Sequence, residues 1–216
     1  ERGLIVIEDC AQIPFGAYQG RPLGTLGHMG VHSLNYHKHI HTGEGGVVVT
    51  NDGRLAERLA LIRNHGEAVV GKKGHDDILN IVGFNFRLGE MEAAVGRCQL
   101  AKGPDLVARR RALVAMLEKK LAGIPGLQPA PVRPGDTHVY YVHPLLFDAG
   151  RAGIARDLFV RAVKAELPPT RLREQHGVLI GAGYARPLYL EPMYQKKIAY
   201  GTVNCPFKCP HYKGEA

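Results

Sequence analysis

Tryptophan is absent from this sequence, and cysteine is scarce, with four residues at positions 10, 98, 205 and 209. Secreted domains that are held together by disulfides carry a denser set of cysteines, so that class is excluded. No apolar stretch is long enough to cross a bilayer, and no signal peptide is visible. These absences predict a protein of the reducing cytoplasm that has no membrane partner.

Acidic residues are outnumbered by basic ones, 20 against 28, which gives a formal net charge of +8. Such an excess is typical of proteins that bind nucleic acid. Here, however, the basic residues are scattered apart from Arg109, Arg110 and Arg111, and no aromatic pattern accompanies them. We expect a solvated helix face and no nucleic-acid partner. Phosphorylated or nucleotide-linked small molecules would suit the same charge.

One lysine, Lys38, lies between two short apolar runs that are predicted to be strands, within the segment SLNYHKHIHTGEGG of residues 33–46. Burial disfavours the ammonium form of lysine and frees the amine to attack a carbonyl. Upstream, Asp9 follows the apolar run Leu4–Ile7, which has the pattern of a parallel strand covered on both faces. Ligands bind at such strand ends. The alternatives are a structural lysine and an aspartate that caps a turn.

Five segments occur in an order and spacing that resemble the DegT-type sugar aminotransferases: IEDCAQ at 7–12, the Ser33 to Lys38 spacing, TGEGG at 42–46, RNHG at 63–66 and GFNFRLGEMEAA at 83–94. Members of that family use pyridoxal 5'-phosphate (PLP) and have the aspartate aminotransferase fold. The resemblance implies an α/β protein. It would be part of the large domain of the type I PLP-dependent transferases, with a mainly parallel sheet and helices, plus part of a smaller α+β domain.

The resemblance also assigns roles to individual residues. Lys38 would bond to the cofactor aldehyde and then move the proton at the substrate carbon, and Asp9 would keep the pyridine nitrogen protonated. Gln12 would stand against the ring or its hydroxyl, and Ser33 would donate its hydroxyl to the phosphate. Asn85 would reach the phosphate of a partner subunit, which implies a homodimer with shared active sites.

The activity implied is the transfer of an amino group from an amino acid, with glutamate as the expected donor, to a keto sugar that is expected to be nucleotide-linked. Arg87 would hold an anionic group of the substrate through its fixed donor fork, or it would form a structural ion pair with Glu90. The glycines of residues 42–46 would serve close approach of the backbone and positive φ rather than phosphate binding.

Two other functions remain open at this point. The chain could be a non-catalytic regulatory or scaffold member of the same fold. It could also be a metal-binding module, because His37, His39 and His41 alternate and on a strand would share one face suited to Zn or Cu. No carboxylate or cysteine is near enough in sequence to complete that set. Cys205 and Cys209 lack the usual C-x-x-C spacing, so no metal site is expected.

Composition also predicts the organisation of the chain. Four prolines lie in residues 124–136, as in a linker between two lobes. We therefore expect residues 1–123 to be the carboxyl-side part of the PLP-binding large domain and residues 124–216 to be a partial small domain, the whole forming an internal fragment of a longer enzyme. Helices are predicted at 54–64, 89–102 and 105–122, with the last two separated at Gly103-Pro104. Residues 51–53 would cap the first helix, whose apolar face is predicted at Leu55, Leu59 and Ile62, and the third helix would turn Leu106, Leu113, Met116, Leu117 and Leu121 inward. Residues 137–147 have strand composition, and residues 152–167 are predicted to be helical until Pro168-Pro169 ends the helix.

Overall fold

The computed structural model describes residues 2–67, 81–168, 178–182, 186–198, 205–208 and 211. These residues form a mixed α/β structure. Its strands are β1 (Ile7–Asp9), β2 (Ala17–Tyr18), β3 (Arg21–Pro22), β4 (Met29–Ser33), β5 (Gly46–Val49), β6 (Leu127–Pro129) and β7 (Leu145–Phe147). Its helices are α1 (Gly53–Arg63), α2 (Glu90–Leu121), α3 (Ala149–Ala152), α4 (Arg156–Glu166) and α5 (Pro192–Gln195), with a 3₁₀ turn at Leu188–Leu190.

The chain divides into two compact units, Glu1–Leu146 and Phe147–Ala216. The lobe boundary that the prolines predict after residue 123 stays a prediction. Within the part of the chain that the structure describes, no helix combines the length and apolarity needed to cross a membrane.

The first unit contains a sheet with the strand order β1-β4-β5. β1 runs parallel to β4, with Ile7 opposite Met29 and Asp9 opposite Val31, and β5 is antiparallel to β4. The predicted parallel pairing of the first strand is therefore confirmed. The prediction that the apolar run is covered on both faces is wrong, because Leu4 and Ile7 are 71% and 58% exposed and no described element packs over them.

The face of this sheet that carries the side chain of Glu8 is closed by the loop between β3 and β4. A Cβ on Gly30 of β4 would lie 2.3 Å from the Cα of Gly24, so the loop crosses the strand in backbone contact. The Glu8 carboxylate fixes the loop by accepting three backbone N–H groups, those of Gly24 (2.8 Å), Leu26 (2.6 Å) and Gly27 (2.6 Å). Desolvation raises the pKa of Glu8, but these three bonds and nearby His32 outweigh it and lower the pKa overall.

Helix α1 begins as predicted. The Asp52 carboxylate is its N-cap and accepts the backbone N–H groups of Arg54 (2.8 Å) and Leu55 (3.0 Å). Such a cap satisfies N–H groups that have no partner inside the helix. The most buried residue of α1 is Leu61, which is 1% exposed and packs against Ile81. The predicted apolar face at 55, 59 and 62 did not include it.

Helix α2 is one continuous helix of 32 residues, so the predicted break at Gly103-Pro104 is wrong. Proline in a helix interior removes one backbone hydrogen bond and costs about 3 kcal/mol. Packing at the same place offsets this cost, because buried Gly103 allows the Phe15 ring to lie directly against the helix. The predicted inner face is also wrong. The buried residues are Val107 and Val114, whereas the leucines and methionine predicted to face inward are exposed at Leu106, Leu113, Met116 and Leu117.

The second unit begins with a short helix, α3, capped by the Asp148 carboxylate, which accepts the backbone N–H of Arg151 at 3.1 Å. Gly153, with φ of 68°, ends it. Helix α4 buries Val160, and the rings of Phe147 and Phe159 stack with centroids 4.9 Å apart. This helix ends before the two prolines at 168 and 169, as the sequence predicts.

The Glu8 contacts lead to a prediction about pH. Because the folded pKa of Glu8 is lowered, its stabilisation is fully present above the ordinary value of 4.5 and is lost as the pH falls through the folded pKa. Glu8→Gln should lower the free energy of unfolding at pH 7 by about 1–3 kcal/mol. The free energy of unfolding of the variant should also decrease less steeply between pH 7 and pH 3 than that of the unaltered protein. Urea unfolding of the complete protein between pH 7 and pH 3 measures both. Exposed Glu67→Gln is the control. An unchanged acid profile in Glu8→Gln would contradict the prediction.

The Gly103 contact predicts opposite effects for two substitutions in one helix. A Cβ at Gly103 would lie 2.1 Å from the Phe15 Cζ, whereas one at Gly96 would come no closer than 3.2 Å, to the Thr42 Cγ2. Gly103→Ala should destabilise the protein by about 1–3 kcal/mol through overpacking. Gly96→Ala should be neutral or stabilising by up to about 1 kcal/mol, because alanine favours helix. Thermal unfolding compares the two, and equal melting temperatures would refute the packing.

Candidate active site

Strand register places Asp9 and Ser33 on the same face of the sheet. Asp9 pairs with Val31, and Ser33 lies two residues further along β4, so the three side chains leave the sheet on one side. Val48, opposite Val31, shares this face. Val31 and Val48 are 37% and 42% exposed, so the face is open. Both polar residues end parallel neighbours, where α/β sheets bind ligands.

The Asp9 carboxylate makes one local contact. Its Oδ1 accepts the backbone N–H of Ala11 at 3.1 Å, which is the turn-capping contact weighed as the alternative role. A carboxylate has two oxygens and accepts several hydrogen bonds, so this cap is compatible with a cationic partner on the open side. Gln12 follows in the same turn and is exposed.

Asn35 organises the turn that carries Lys38. Its carbonyl oxygen accepts the backbone N–H of Lys38 at 2.9 Å, and its side chain accepts the backbone N–H of His37 at 3.1 Å. Its amide also donates to the Glu44 carboxylate at 2.8 Å. Ser33 Oγ accepts the Asn35 N–H at 3.2 Å, which links strand end and turn. Sequence reasoning missed Asn35, although asparagine is the residue whose side chain most often closes such turns.

Lys38 is half-buried, and its ammonium lies over the face of the Tyr141 ring, with Nζ 4.6 Å from the centroid. Leu34 and Ile40, 7% and 6% exposed, are buried on either side of it and fix the turn. Tyr141 comes from residues 137–147, which were predicted as a strand because of their aromatic composition. Only Leu145–Phe147 forms one, and the rest is irregular, so the contact with Lys38 was not foreseen.

The three histidines do not share a strand face, because residues 36–40 form turns and bends. His39 Nε2 donates to the Val139 carbonyl at 2.9 Å, and the His37 ring packs on Tyr36 with centroids 3.8 Å apart. Burial lowers the pKa of His39, partly opposed by the Val139 contact. Over the described ranges, no group of three histidine, cysteine or acidic side chains is arranged to hold a metal ion. Cys209 lies outside those ranges.

Asn85 and Arg87 belong to a separate network. Arg87 donates to the Asn85 side chain through Nε and to the Asn64 side chain through a terminal nitrogen, each at 3.0 Å. The backbones of Asn64 and Asn85 pair as an isolated bridge. Arg87 forms no ion pair with Glu90, both of which are described, so that structural alternative is not realised. Among the described residues, no hydrogen bond joins this network to Asp9 or Lys38.

The side chains of Asp9, Ser33 and Lys38 fit pyridoxal phosphate chemically. The cofactor offers a pyridine nitrogen, a phosphate and an aldehyde, which require a carboxylate, a hydroxyl and an amine. Asp9, Ser33 and Lys38 supply one of each, from two adjacent strand ends and the turn that follows. The open face beside Val31 and Val48 leaves room above the first two.

The sequence matches the DegT/DnrJ/EryC1/StrS aminotransferase family over residues 1–209. GDP-perosamine synthase of Vibrio cholerae is 32% identical over 148 residues, which are 68% of this chain and 39% of that protein. Spore coat polysaccharide biosynthesis protein SpsC of Bacillus subtilis is 25% identical over 217 residues, which are 98% of this chain and 53% of that protein. The chain therefore spans about half, or less, of the length of these relatives.

Among solved structures, DesV of S. venezuelae, in complex with a ketimine intermediate, has a TM-score of 0.70 and 30% identity over 93% of this chain and 48% of its own. TlmJ, an aminotransferase of Streptoalloteichus hindustanus, also has a TM-score of 0.70, with 29% identity over 89% of this chain and 48% of its own. The predicted fold class, part of the type I fold of PLP-dependent transferases, is thereby confirmed. Because the family match covers nearly the whole chain, this protein belongs to the DegT/DnrJ/EryC1/StrS aminotransferase family.

Proposed function

We propose that this chain holds the cofactor-anchoring part of a cytoplasmic PLP-dependent aminotransferase that moves an amino group from an amino acid to a keto sugar. The observation that carries the proposal is the placement of Asp9 and Ser33 on one open face of the sheet, with Lys38 in the turn directly after β4. A structural lysine and a structural aspartate would not need this arrangement.

The finer parts of the proposal concern the substrates. The relative named GDP-perosamine synthase supports a nucleotide-linked sugar, and the net charge of +8 suits an anionic substrate. Glutamate is the proposed amino donor. Arg87, which the two asparagines hold in a fixed orientation, is proposed to bind an anionic group of the substrate.

PLP supplies an electron sink for the pair left on the substrate carbon when its proton departs. Lys38 takes up that proton and returns it at the other carbon, acting as tether and as general acid and base. Asp9 keeps the ring nitrogen cationic, since a carboxylate raises the pKa of a neighbouring base. Ser33 donates to the phosphate, and Gln12 orients the ring. Asn85 is proposed to reach the phosphate of the partner subunit in a homodimer with shared sites.

The role of Lys38 is tested by trapping. The complete protein is incubated with PLP, reduced with borohydride and digested, and the peptide masses are measured by mass spectrometry. The PLP mass should appear on Lys38, and Lys38→Arg should carry none while keeping the positive charge. Turnover with an amino donor should fall by more than about 10³-fold in Lys38→Arg and Lys38→Ala. Label on another lysine, or full turnover in either variant, would overturn the proposal. Trapping on Lys38 without any keto-acid release would favour a non-catalytic member of the family.

The role of Asp9 is tested by Asp9→Asn, which separates charge from structure. Asparagine can still accept the Ala11 N–H, so the turn and the stability should be retained. The negative charge opposite the ring nitrogen is lost, so turnover should fall by about 10²- to 10³-fold. Steady-state kinetics and urea unfolding are measured together. Retained turnover with a retained fold would leave Asp9 with its turn-capping role alone.

A further inference from the structure

The Tyr141 ring lies under Lys38 at a distance typical of a cation–π contact. Nζ is 4.6 Å from the ring centroid, inside the range of about 6 Å over which the negative face of an aromatic ring attracts an ammonium. Lys38 forms no ion pair with a carboxylate among the described residues. Within that part of the chain, the face of the Tyr141 ring is thus the group that attracts the Lys38 ammonium.

The position of the ring is fixed by its neighbours in residues 137–143, a segment we call the strap. Val139 is 1% exposed, and its carbonyl accepts from His39, the residue after Lys38. The Tyr140 carbonyl accepts from Arg110 of helix α2 at 2.9 Å. One side of the strap is therefore bonded to the lysine turn and the other to the long helix, with Tyr141 held between them and Lys38.

The charged and titratable groups that act on His39, the residue after Lys38, are Arg110 of α2, Lys38 itself and His138 of the strap. On the far side of the strap, the Glu118 carboxylate of α2 acts on Tyr140 and hydrogen-bonds His143. Burial lowers the pKa of His39, and Arg110, Lys38 and His138 lower it further, against the opposing Val139 carbonyl, so His39 stays neutral near pH 7. A neutral His39 adds no repulsion to an ammonium beside it.

Resting on the proposed function, we propose that Tyr141 is a positioning residue that receives the Lys38 ammonium while Lys38 is not bonded to the cofactor. Lys38 is displaced when the nitrogen of the amino donor takes its place on the cofactor carbon. Two of the three hydrogens on the donor's ammonium nitrogen pass to the Lys38 nitrogen, which is released as a neutral amine, and the third stays on the donor nitrogen. The amine becomes an ammonium when it takes up the proton of the substrate carbon, and the ring would stabilise that ammonium until the proton is returned.

This role makes a prediction opposite in sign to that of a simple structural residue. Stabilising the ammonium of the unbonded Lys38 opposes the bond between Lys38 and the aldehyde. Removal of the ring should therefore tighten the dissociation constant of PLP by about two- to fivefold, the range that exposed cation–π contacts provide. Loss of a packing residue would weaken PLP binding instead.

The test measures PLP binding to the complete protein by equilibrium titration, for Tyr141→Phe, Tyr141→Leu and phenylalanines at position 141 with one, two and three ring fluorines. Fluorine weakens the negative face of the ring while nearly preserving its shape. Affinity should be unchanged in Tyr141→Phe, should rise stepwise with fluorine number and should be highest in Tyr141→Leu. Tyr36→Leu, in the same turn but with its ring on His37, is the matched control and should leave affinity unchanged.

A second readout needs no cofactor. With lysine labelled at Cε, the Lys38 methylene protons should show an upfield ring-current shift in the PLP-free protein and in Tyr141→Phe, and lose it in Tyr141→Leu. An affinity that is flat or falls across the fluorine series, or a Lys38 resonance that ignores Tyr141, would overturn this inference. If borohydride fails to trap PLP on Lys38 in the unaltered protein, the proposed function fails, and the two failures are therefore distinguishable.

Discussion

The parallel register of β1 and β4 is the constraint on which the rest of the site depends. Side chains alternate between the two faces of a strand, so a shift of one residue would move Asp9 to the face that the loop covers. Ser33 would then share a face with no carboxylate. The register is secured by contacts outside the ladder. Cys10, buried to 2% exposure, donates its N–H to Val31, and Glu8 binds the loop that lies against Gly30.

The same pair of strands explains why one face is closed and the other open. Gly24 and Gly30 meet backbone to backbone, so the loop can lie flat against β4 only because neither carries a side chain. The loop in turn excludes ligands from that face. The Glu8 carboxylate fixes this loop by accepting its backbone N–H groups. The side chain of the next residue, Asp9, leaves the strand on the other face. Adjacent acids in the sequence thus have separate tasks, one for the fold and one available for chemistry.

The long helix α2 acts as a common support for pieces distant in sequence. Phe15 lies against Gly103, the Tyr140 carbonyl is bound by Arg110, and His143 contacts the Glu118 carboxylate at 3.0 Å. A helix rises 1.5 Å per residue, so these contacts are spread along its length. A break at Pro104 would have let the two halves move separately. Continuity of the helix therefore holds the strap in a constant place relative to the first turn after β1.

The sequence was sufficient for features that depend on local chemistry. The Asp52 cap, the parallel pairing of β1 and the family itself follow from residues close together in the chain. It failed where tertiary contacts decide. Phe15 packs on Gly103 at the place where α2 was predicted to break, and the burial of Val107 instead of Leu106 is decided by neighbours outside the helix. The roles of Asp9, Ser33 and Lys38 follow from resemblance and stay predictions.

Tyr141 could not be foreseen for a related reason. Its segment has the composition of a strand. A short aromatic run indicates only secondary structure, through its periodicity and residue propensities, and does not indicate which distant residue a ring will contact. The positive φ of Tyr140, 53°, breaks the extended backbone just before it and redirects the following ring toward Lys38. Such a conformation is uncommon for a residue with a side chain and is imposed by surrounding contacts rather than by local preference.

The surroundings of Lys38 also depend on a contact that keeps a charge away from it. Glu44 is the acidic residue nearest in sequence within this turn, and its carboxylate accepts from the Asn35 amide at 2.8 Å. A carboxylate paired with Lys38 would hold the ammonium by a charge-assisted bond, which is stronger than a contact with a ring face. By engaging Glu44, Asn35 leaves the lysine with the weaker partner. On the proposed function, an amine held by a ring face would be freer to react with the cofactor aldehyde than one paired with a carboxylate.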